Sequence, residues 1–125
     1  MGRLRGQRGC PWDRKQTHRS LLKYLREESA EVAQAVRRGD HRNLQEELGD
    51  LLLQVVFHAQ LAQERRRFDI GDVVDGICRK LVRRHPHVFG SHRLRTAQEV
   101  VVLWDDLKRR EKEAADKKRR RNRHV

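Results

Sequence analysis

Residues 40–66 carry apolar side chains on two opposite sides of a helix. At about 100° per residue, one stripe contains Leu44, Leu48, Leu51, Val55 and Ala59, and the other contains Leu53, Phe57 and Leu61. A helix that is apolar on both sides is buried on both sides. Four helices in a chain of 125 residues can hardly cover both stripes. A monomer would then expose Leu53, Phe57 and Leu61 together, so we expect a subunit interface here. Gly49 weakens this helix by about 1 kcal/mol relative to Ala, which suggests a close backbone approach.

Capping residues predict the first two helices. A helix capped by Thr17 runs to about Arg38, and a second helix, capped by Asp40, runs to about Arg66. We expect Gly39 to end the first helix in the left-handed conformation.

The same signals predict two more helices. The third is capped by Asp69 and ends near His85, because Pro86 forces the chain out of a helix. Thr96-Ala97-Gln98-Glu99 is a capping-box pattern that opens a fourth helix through Lys108. Strand-like alternation and internal repeats are absent from the sequence. Four helices with short connections therefore predict an all-α, four-helix-bundle-like domain that dimerises through its helices.

The composition agrees with a single small helical domain. Hydrophobic residues make up 36% and charged residues 38%, with two prolines, which suits a helical bundle better than a β-sandwich. The sequence lacks the roughly 18 consecutive apolar residues of a membrane span and the apolar stretch of a signal peptide, so we expect a cytoplasmic protein. Cys10 and Cys78 are too few for a disulfide scaffold. We expect an irregular basic lead-in over 1–16, a helical domain over 17–112 and a basic tail over 113–125.

Positive charge is concentrated in this tail. The formal net charge is +12, and six basic side chains lie within residues 117–123. Such a run repels itself and is usually solvated and poorly ordered. It could also contact nucleic-acid phosphates without sequence specificity, although no aromatic residues are interleaved to stack on bases.

Two pairs of acidic residues lie inside the apolar helical patterns. Glu28 and Glu31 are three residues apart on the first predicted helix, and Glu47 and Asp50 have this spacing on the second. On the first helix, Leu21, Leu25, Val32 and Val36 fall within an apolar arc of about 60°, which we expect to face the core. Glu28 lies about 50° from the middle of this arc, Glu31 about 110° and Glu27 about 150°, so Glu27 should face solvent. Buried carboxylates are costly unless they are paired or bind a cation. Because carboxylate oxygens are preferred ligands of Mg²⁺, the two pairs indicate a metal site.

Three simpler roles for these acids remain open from the residues alone. Surface ion pairs with the abundant arginines suit Glu27, Glu46 and Glu64. Buried salt bridges are a second alternative, although they are hard to justify energetically. Glu47 can also serve as an early-turn acid that the helix dipole favours.

Basic and aromatic residues on the third and fourth predicted helices are candidates for substrate binding. Lys80 and Arg84 are four residues apart, as are Trp104 and Lys108. Arginine and lysine bind phosphate oxygens, and Trp104 could stack on a base. The alternatives are that Lys80 and Arg84 are solvated charges and that Trp104 belongs to the core.

Five motifs resemble those of the MazG family and occur along the chain in the same order. They are Cys10-Pro11-Trp12-Asp13, Glu27-Glu28-Ser29-Ala30-Glu31, Glu47-Leu48-Gly49-Asp50-Leu51-Leu52, Arg67-Phe68-Asp69 and Lys80-Leu81-Val82-Arg83-Arg84-His85-Pro86-His87-Val88-Phe89-Gly90. The resemblance runs from about Leu4 to Lys112. The chain departs from the usual family pattern at Arg26 and Ser29, in its single copy of the domain and in its basic tail. The acids of the two pairs match the family pattern.

The resemblance implies an all-α nucleotide pyrophosphohydrolase that converts nucleoside triphosphates to monophosphates and pyrophosphate. We expect a role in nucleotide-pool housekeeping, and the sequence leaves open whether the enzyme clears damaged nucleotides or adjusts the pool. The resemblance also implies dependence on Mg²⁺, for which Mn²⁺ can substitute, and a homodimer with helices from both subunits near each site. The metal-binding, catalytic acids of the family correspond to Glu28, Glu31, Glu47 and Asp50. Its substrate-contacting residues correspond to Lys80, Arg84, Trp104 and Lys108.

We therefore predict metal-assisted hydrolysis of the α–β phosphoanhydride bond, with Glu28 or Glu31 orienting or deprotonating the attacking water. A rival of another class is a basic helical nucleic-acid-binding protein, for which the tail is the only support. A closer rival is a narrower all-α phosphohydrolase, similar to a dUTPase or a phosphoribosyl-ATP pyrophosphatase. The stretch His85-Pro86-His87-Val88-Phe89 favours the MazG family over both.

Overall fold

All regular secondary structure in the described residues is helical. The structure, a computed structural model, describes residues 1–91 and 93–124. Over these residues it has six helices and no strands: α1 (Pro11–Lys15), α2 (Leu22–Arg38), α3 (His41–Glu64), α4 (Ile70–Arg84), α5 (Pro86–Phe89) and α6 (Ala97–Arg123). The prediction of an all-α fold is confirmed. None of the helices in the described ranges combines the length and apolar character needed to span a membrane.

Two compact units can be distinguished, Met1–Val74 and a second unit from Asp75 onwards. In the first unit, α2 and α3 pack against each other as a helical hairpin. The hairpin turns where we expected it to turn. Gly39 has a left-handed φ of 65°, and the Asp40 side chain caps α3 by accepting a hydrogen bond of 3.1 Å from the Asn43 amide.

The start of the chain differs from the sequence prediction in two ways. Helix α2 begins at Leu22, so Thr17 does not cap it; the Thr17 hydroxyl instead accepts from the Ser20 amide in a preceding turn. The lead-in is not irregular throughout, because it contains α1. It is also held to α3 by Arg5, whose guanidinium donates two hydrogen bonds, of 2.7 and 2.9 Å, to the Glu64 carboxylate.

The core of the first unit shows which side of α3 packs inward. Leu21, Phe57 and Leu61 form a buried cluster, against which Met1 and Tyr24 pack. Phe57 and Leu61 are only 2% and 7% exposed, so the expectation that a monomer exposes them together with Leu53 is wrong.

Other apolar side chains of the hairpin lie at the surface. Those exposed on α3 are Leu48, Leu52, Leu53 and Val55. Val36 of α2 is 60% exposed, although its direction predicted a core position. The predicted close approach at Gly49 is also wrong within the described residues, since a Cβ atom there would meet no atom outside its own helical turn within 4 Å.

Helix α4 begins with reciprocal capping. The Asp69 side chain accepts from the Asp72 amide at 2.9 Å, and the Asp72 side chain accepts from the Asp69 amide at 3.0 Å. The prediction that Asp69 caps this helix is therefore confirmed. The helix ends at Arg84, as Pro86 predicted, but Pro86 then opens the short helix α5.

Helix α6 is longer than the sequence predicted. Thr96 caps it by accepting from the Glu99 amide at 3.2 Å, while the Glu99 carboxylate accepts from the Arg95 amide at 3.0 Å. The helix continues to Arg123 through most of the basic segment that we expected to be poorly ordered. Val125, the last residue of the predicted tail, lies outside the described residues.

Candidate active site

Four carboxylates meet between α2 and α3 in the first unit. They belong to Glu28, Glu31, Glu47 and Asp50, and one oxygen from each lies within 4.8 Å of the others. Spacing of three residues places each pair on one side of its helix, and the hairpin brings the two pairs together. Glu28 and Glu47 are half-buried, whereas Glu31 and Asp50 are exposed. The structure thus brings together the four acids that the sequence singled out, which we call the acid cluster.

Mutual repulsion and burial disfavour full ionisation of the acid cluster. A hydrogen bond with the Glu31 carboxyl, followed by burial and the neighbouring negative charges, raises the pKa of Glu47 to about 7. Burial first, and then the charges of Glu31 and Asp50, raise the pKa of Glu28. In the absence of a cation, the cluster therefore favours a proton on Glu47 up to about pH 7.

The acid cluster fits a hard divalent cation. Its donors are all carboxylate oxygens, which Mg²⁺ and similar ions prefer. Glu28 Oε2 and Glu47 Oε2 are buried and have no hydrogen-bond partner among the described residues. A bound cation would satisfy these oxygens and compensate the negative charge that raises the pKa of Glu47.

Acids outside the acid cluster have simpler roles. Glu64 pairs with Arg5, so the surface ion pair that we considered for Glu64 is present. Hydrogen bonding from Arg5 is the main cause that lowers the pKa of Glu64. Glu27 is exposed on α2, as its direction predicted.

Gln54, one helical turn after Asp50 on α3, is a polar side chain that the sequence had not singled out. Gln54 is buried, and its Oε1 atom has no hydrogen-bond partner among the described residues. Leaving a buried acceptor unpaired costs about 1–3 kcal/mol. The helical angle could have revealed this position, because Gln54 points between the directions of Glu47 and Asp50 at about 100° per residue.

A histidine pair lies one turn beyond Gln54. His18 Nδ1 and His58 Nδ1 are 2.7 Å apart, and the two rings stack with centroids 5.0 Å apart. Burial, followed by the charge of His18, lowers the pKa of His58. His58 Nε2 is buried without a partner among the described residues.

The predicted substrate-binding residues lie together in the second unit. Lys80 and Arg84 of α4 and Trp104 and Lys108 of α6 line a cavity of about 310 Å³. Ile77, Leu81 and His85 complete its lining. We call this cavity the basic pocket. The structure thus brings together the second group of four residues that the sequence singled out.

Arg84 and Trp104 are held in place within the basic pocket. Glu111 of α6 accepts hydrogen bonds from Arg84 at 3.0 Å and from Arg83 at 2.8 Å. These bonds, with Arg84 first, lower the pKa of Glu111. Trp104 is half-buried and packs edge-on against His85, with ring centroids 5.3 Å apart. Arg84 is therefore not simply a solvated charge, and the sequence analysis missed its partner Glu111.

Fold and site together define an all-α domain with a candidate metal centre of four carboxylates. The family model described as the MazG nucleotide pyrophosphohydrolase domain matches residues 16–89, which is more than half of the chain. This chain therefore belongs to the MazG family, as its motifs predicted.

Curated relatives resemble nearly the whole of this chain. The nucleoside triphosphate pyrophosphohydrolase/pyrophosphatase MazG of Thermotoga maritima is 50% identical over 112 residues, covering 90% of this chain and 42% of that protein. The nucleoside triphosphate pyrophosphohydrolase of Escherichia coli K12 is 48% identical over 113 residues, covering 90% of this chain and 43% of that protein. The chain thus spans less than half the length of these relatives.

A solved structure agrees with the fold. The crystal structure of a mazG-related protein from Thermotoga maritima is similar to this chain with a TM-score of 0.68 and 32% sequence identity. The similarity covers 87% of this chain and 99% of the other.

Proposed function

We propose that this domain hydrolyses nucleoside triphosphates to nucleoside monophosphates and pyrophosphate, using a divalent cation held by the acid cluster. The observation that carries the proposal is the meeting of four carboxylate oxygens, from two helices, within 4.8 Å of one another. The names of the bacterial relatives, nucleoside triphosphate pyrophosphohydrolases, support the same reaction.

The acid cluster has two tasks in this reaction. Mg²⁺, for which Mn²⁺ can substitute, supplies Lewis-acid stabilisation of the charge that develops on the phosphoryl oxygens when it is bound. Glu28, Glu31, Glu47 and Asp50 would hold this ion. A carboxylate of Glu28 or Glu31 also orients the attacking water and accepts its proton.

The basic pocket supplies the complementary charge. Lys80, Arg84 and Lys108 bind phosphate oxygens of the triphosphate, whose charge must be offset for hydrolysis. Trp104 offers the face of its ring to the substrate, because its indole N–H already donates to the backbone carbonyl of Arg84. Neither phosphate binding nor metal-assisted hydrolysis needs a nucleophilic serine or cysteine.

We also propose that the active form is a homodimer. Leu48, Leu52, Leu53 and Val55 are exposed along α3, and apolar surface of this kind supports association with a second copy. Cys10 and Cys78 are free thiols, which suits a reducing cytoplasm. The proposed role, housekeeping of the nucleotide pool, follows from the proposed reaction, which removes nucleoside triphosphates.

The test is a screen of ribo- and deoxyribonucleoside triphosphates with Mg²⁺ or Mn²⁺, with separation of all phosphorus-containing products. We expect monophosphate and pyrophosphate in equal amounts, and no turnover when a chelator removes the metal. Release of diphosphate and inorganic phosphate would contradict the proposal. Turnover of dUTP alone would instead favour the narrower dUTPase-like function.

A further inference from the structure

The polar side of α3 extends beyond the acid cluster. At about 100° per residue, Glu47, Asp50, Gln54 and His58 fall within an arc of about 80°. Within the described residues, Gln54 is the one buried side chain that is polar, with 7% of its surface exposed. We call these four residues the polar stripe.

Three atoms of the polar stripe are buried without partners among the described residues. They are Glu47 Oε2, Gln54 Oε1 and His58 Nε2. From residue 47 to residue 58 the helix rises about 16 Å. The unsatisfied atoms therefore follow an extended line that starts at the acid cluster, as expected if one elongated ligand satisfies them.

The chemistry of Gln54 narrows the choice of ligand group. Its unpaired atom is an amide carbonyl oxygen, which accepts hydrogen bonds and does not donate them. Phosphate oxygens are acceptors as well, so they cannot pair with it. The nucleoside carries suitable donors, among them the sugar hydroxyls and the exocyclic amino groups of the bases.

We propose that Gln54 is a specificity-determining residue, whose carbonyl accepts a hydrogen bond from a sugar hydroxyl or an exocyclic amino group of the substrate's nucleoside. This inference rests on the proposed function, since it assumes that the triphosphate lies at the acid cluster. A buried polar group discriminates strongly, because an analogue without the matching donor leaves it unpaired.

The test compares Gln54→Met with wild type in kcat/KM. ATP against dATP reports on the 2′-hydroxyl and ATP against 3′-deoxyATP on the 3′-hydroxyl, whereas GTP against ITP and CTP against UTP report on amino groups. We expect kcat/KM to fall at least tenfold for substrates that carry the recognised donor and to change little for those that lack it. One of these ratios should therefore fall at least tenfold. Gln45→Met is the matched control, because Gln45 is exposed on the same helix. It should leave every ratio unchanged.

A second variant and a binding measurement keep the outcome decisive. Gln54→Asn retains the amide but withdraws it by one methylene, and it should change the same ratio if Gln54→Met does not fold. Calorimetry with non-hydrolysable α,β-methylene triphosphates should show the same selectivity in affinity. A uniform loss over all substrates, or no loss, would overturn the role of Gln54. A wild-type protein that hydrolyses no triphosphate would instead contradict the proposed function itself.

Discussion

The indole Nε1 of Trp104 donates a hydrogen bond of 2.8 Å to the backbone carbonyl of Arg84, the last residue of α4. Carbonyls at the end of a helix lack partners within the helix, so this bond satisfies one of them. The same contact fixes the indole against the helix that carries Lys80 and Arg84. Trp104 therefore has a structural role in addition to lining the basic pocket.

This double role can be separated by substitution. Trp104→Phe removes the donor but retains an aromatic face, so we expect a loss of about 1 kcal/mol in unfolding free energy and only a modest rise in KM. Trp104→Ala should also raise KM strongly. Denaturant unfolding and triphosphate kinetics measure both effects. Trp12→Phe is the control, since the Trp12 indole N–H makes no hydrogen bond among the described residues. An equal loss there would contradict the role of the bond.

The acid cluster makes a sharp prediction about catalysis. Glu47→Gln and Asp50→Asn should each abolish hydrolysis, because an amide lacks the charge that holds a divalent cation. Circular dichroism should show nearly unchanged helix content. The matched control is Glu27→Gln, on the exposed side of α2, and it should be mild. Near-normal turnover of either cluster variant at saturating Mg²⁺ would remove that residue from the site.

The raised pKa of Glu47 predicts how metal binding depends on pH. Its pKa is about 7 in the metal-free protein, against an ordinary value of 4.5. Between pH 4.5 and about 7 the folded state holds a proton that the unfolded chain has lost. The free energy of unfolding of the metal-free protein therefore falls as pH rises through this range and levels off above about pH 7. Because the cation needs the ionised carboxylate, affinity should increase from about pH 6 to about pH 8.

Calorimetric titration with Mg²⁺ or Mn²⁺ checks this dependence. Glu27→Gln should retain the rise in affinity with pH. An affinity that does not change over the same range in the wild-type protein would show that the acid cluster is not the binding site.

Exposed and buried apolar residues of α3 should respond differently to substitution. Leu52 is 60% exposed, so Leu52→Glu should weaken self-association in light scattering while leaving the fold intact. Phe57 is buried, so Phe57→Ala should cost about 3–5 kcal/mol of stability. Gln45→Glu adds the same charge at an exposed polar position and should leave association unchanged. A monodisperse monomer of the wild type at micromolar concentration would rule out the proposed dimer.

The basic end of α6 separates the enzyme from a nucleic-acid binder. Deleting residues 117–125 should leave hydrolysis at low salt within a few-fold of the full chain, because Lys108 lies more than two helical turns earlier. Any binding of DNA or RNA should disappear with this deletion and should weaken steeply with salt in the full chain. A truncated protein that folds but loses hydrolysis would place this segment in the active site.

Local signals were sufficient for several helix ends and for the acid pairs. Gly39, Asp40 and Thr96 act where the sequence predicted, because capping depends on backbone groups within a few residues. The failure at Thr17 is equally local, since its hydroxyl pairs with the Ser20 amide in a turn before α2 starts. Partners distant in sequence, such as Glu111 for Arg84, could not be found in this way.

The sequence by itself determined which side chains point in the same direction along each helix, because the helical repeat is a property of the backbone. It therefore placed Glu47 and Asp50, three residues apart, on one side of their helix. Only the tertiary structure decided that α3 buries Phe57 and Gln54 while Leu52 remains at the surface. The physical reason is that periodicity defines the faces of a helix, whereas the face that is buried depends on the surface of the helix packed against it.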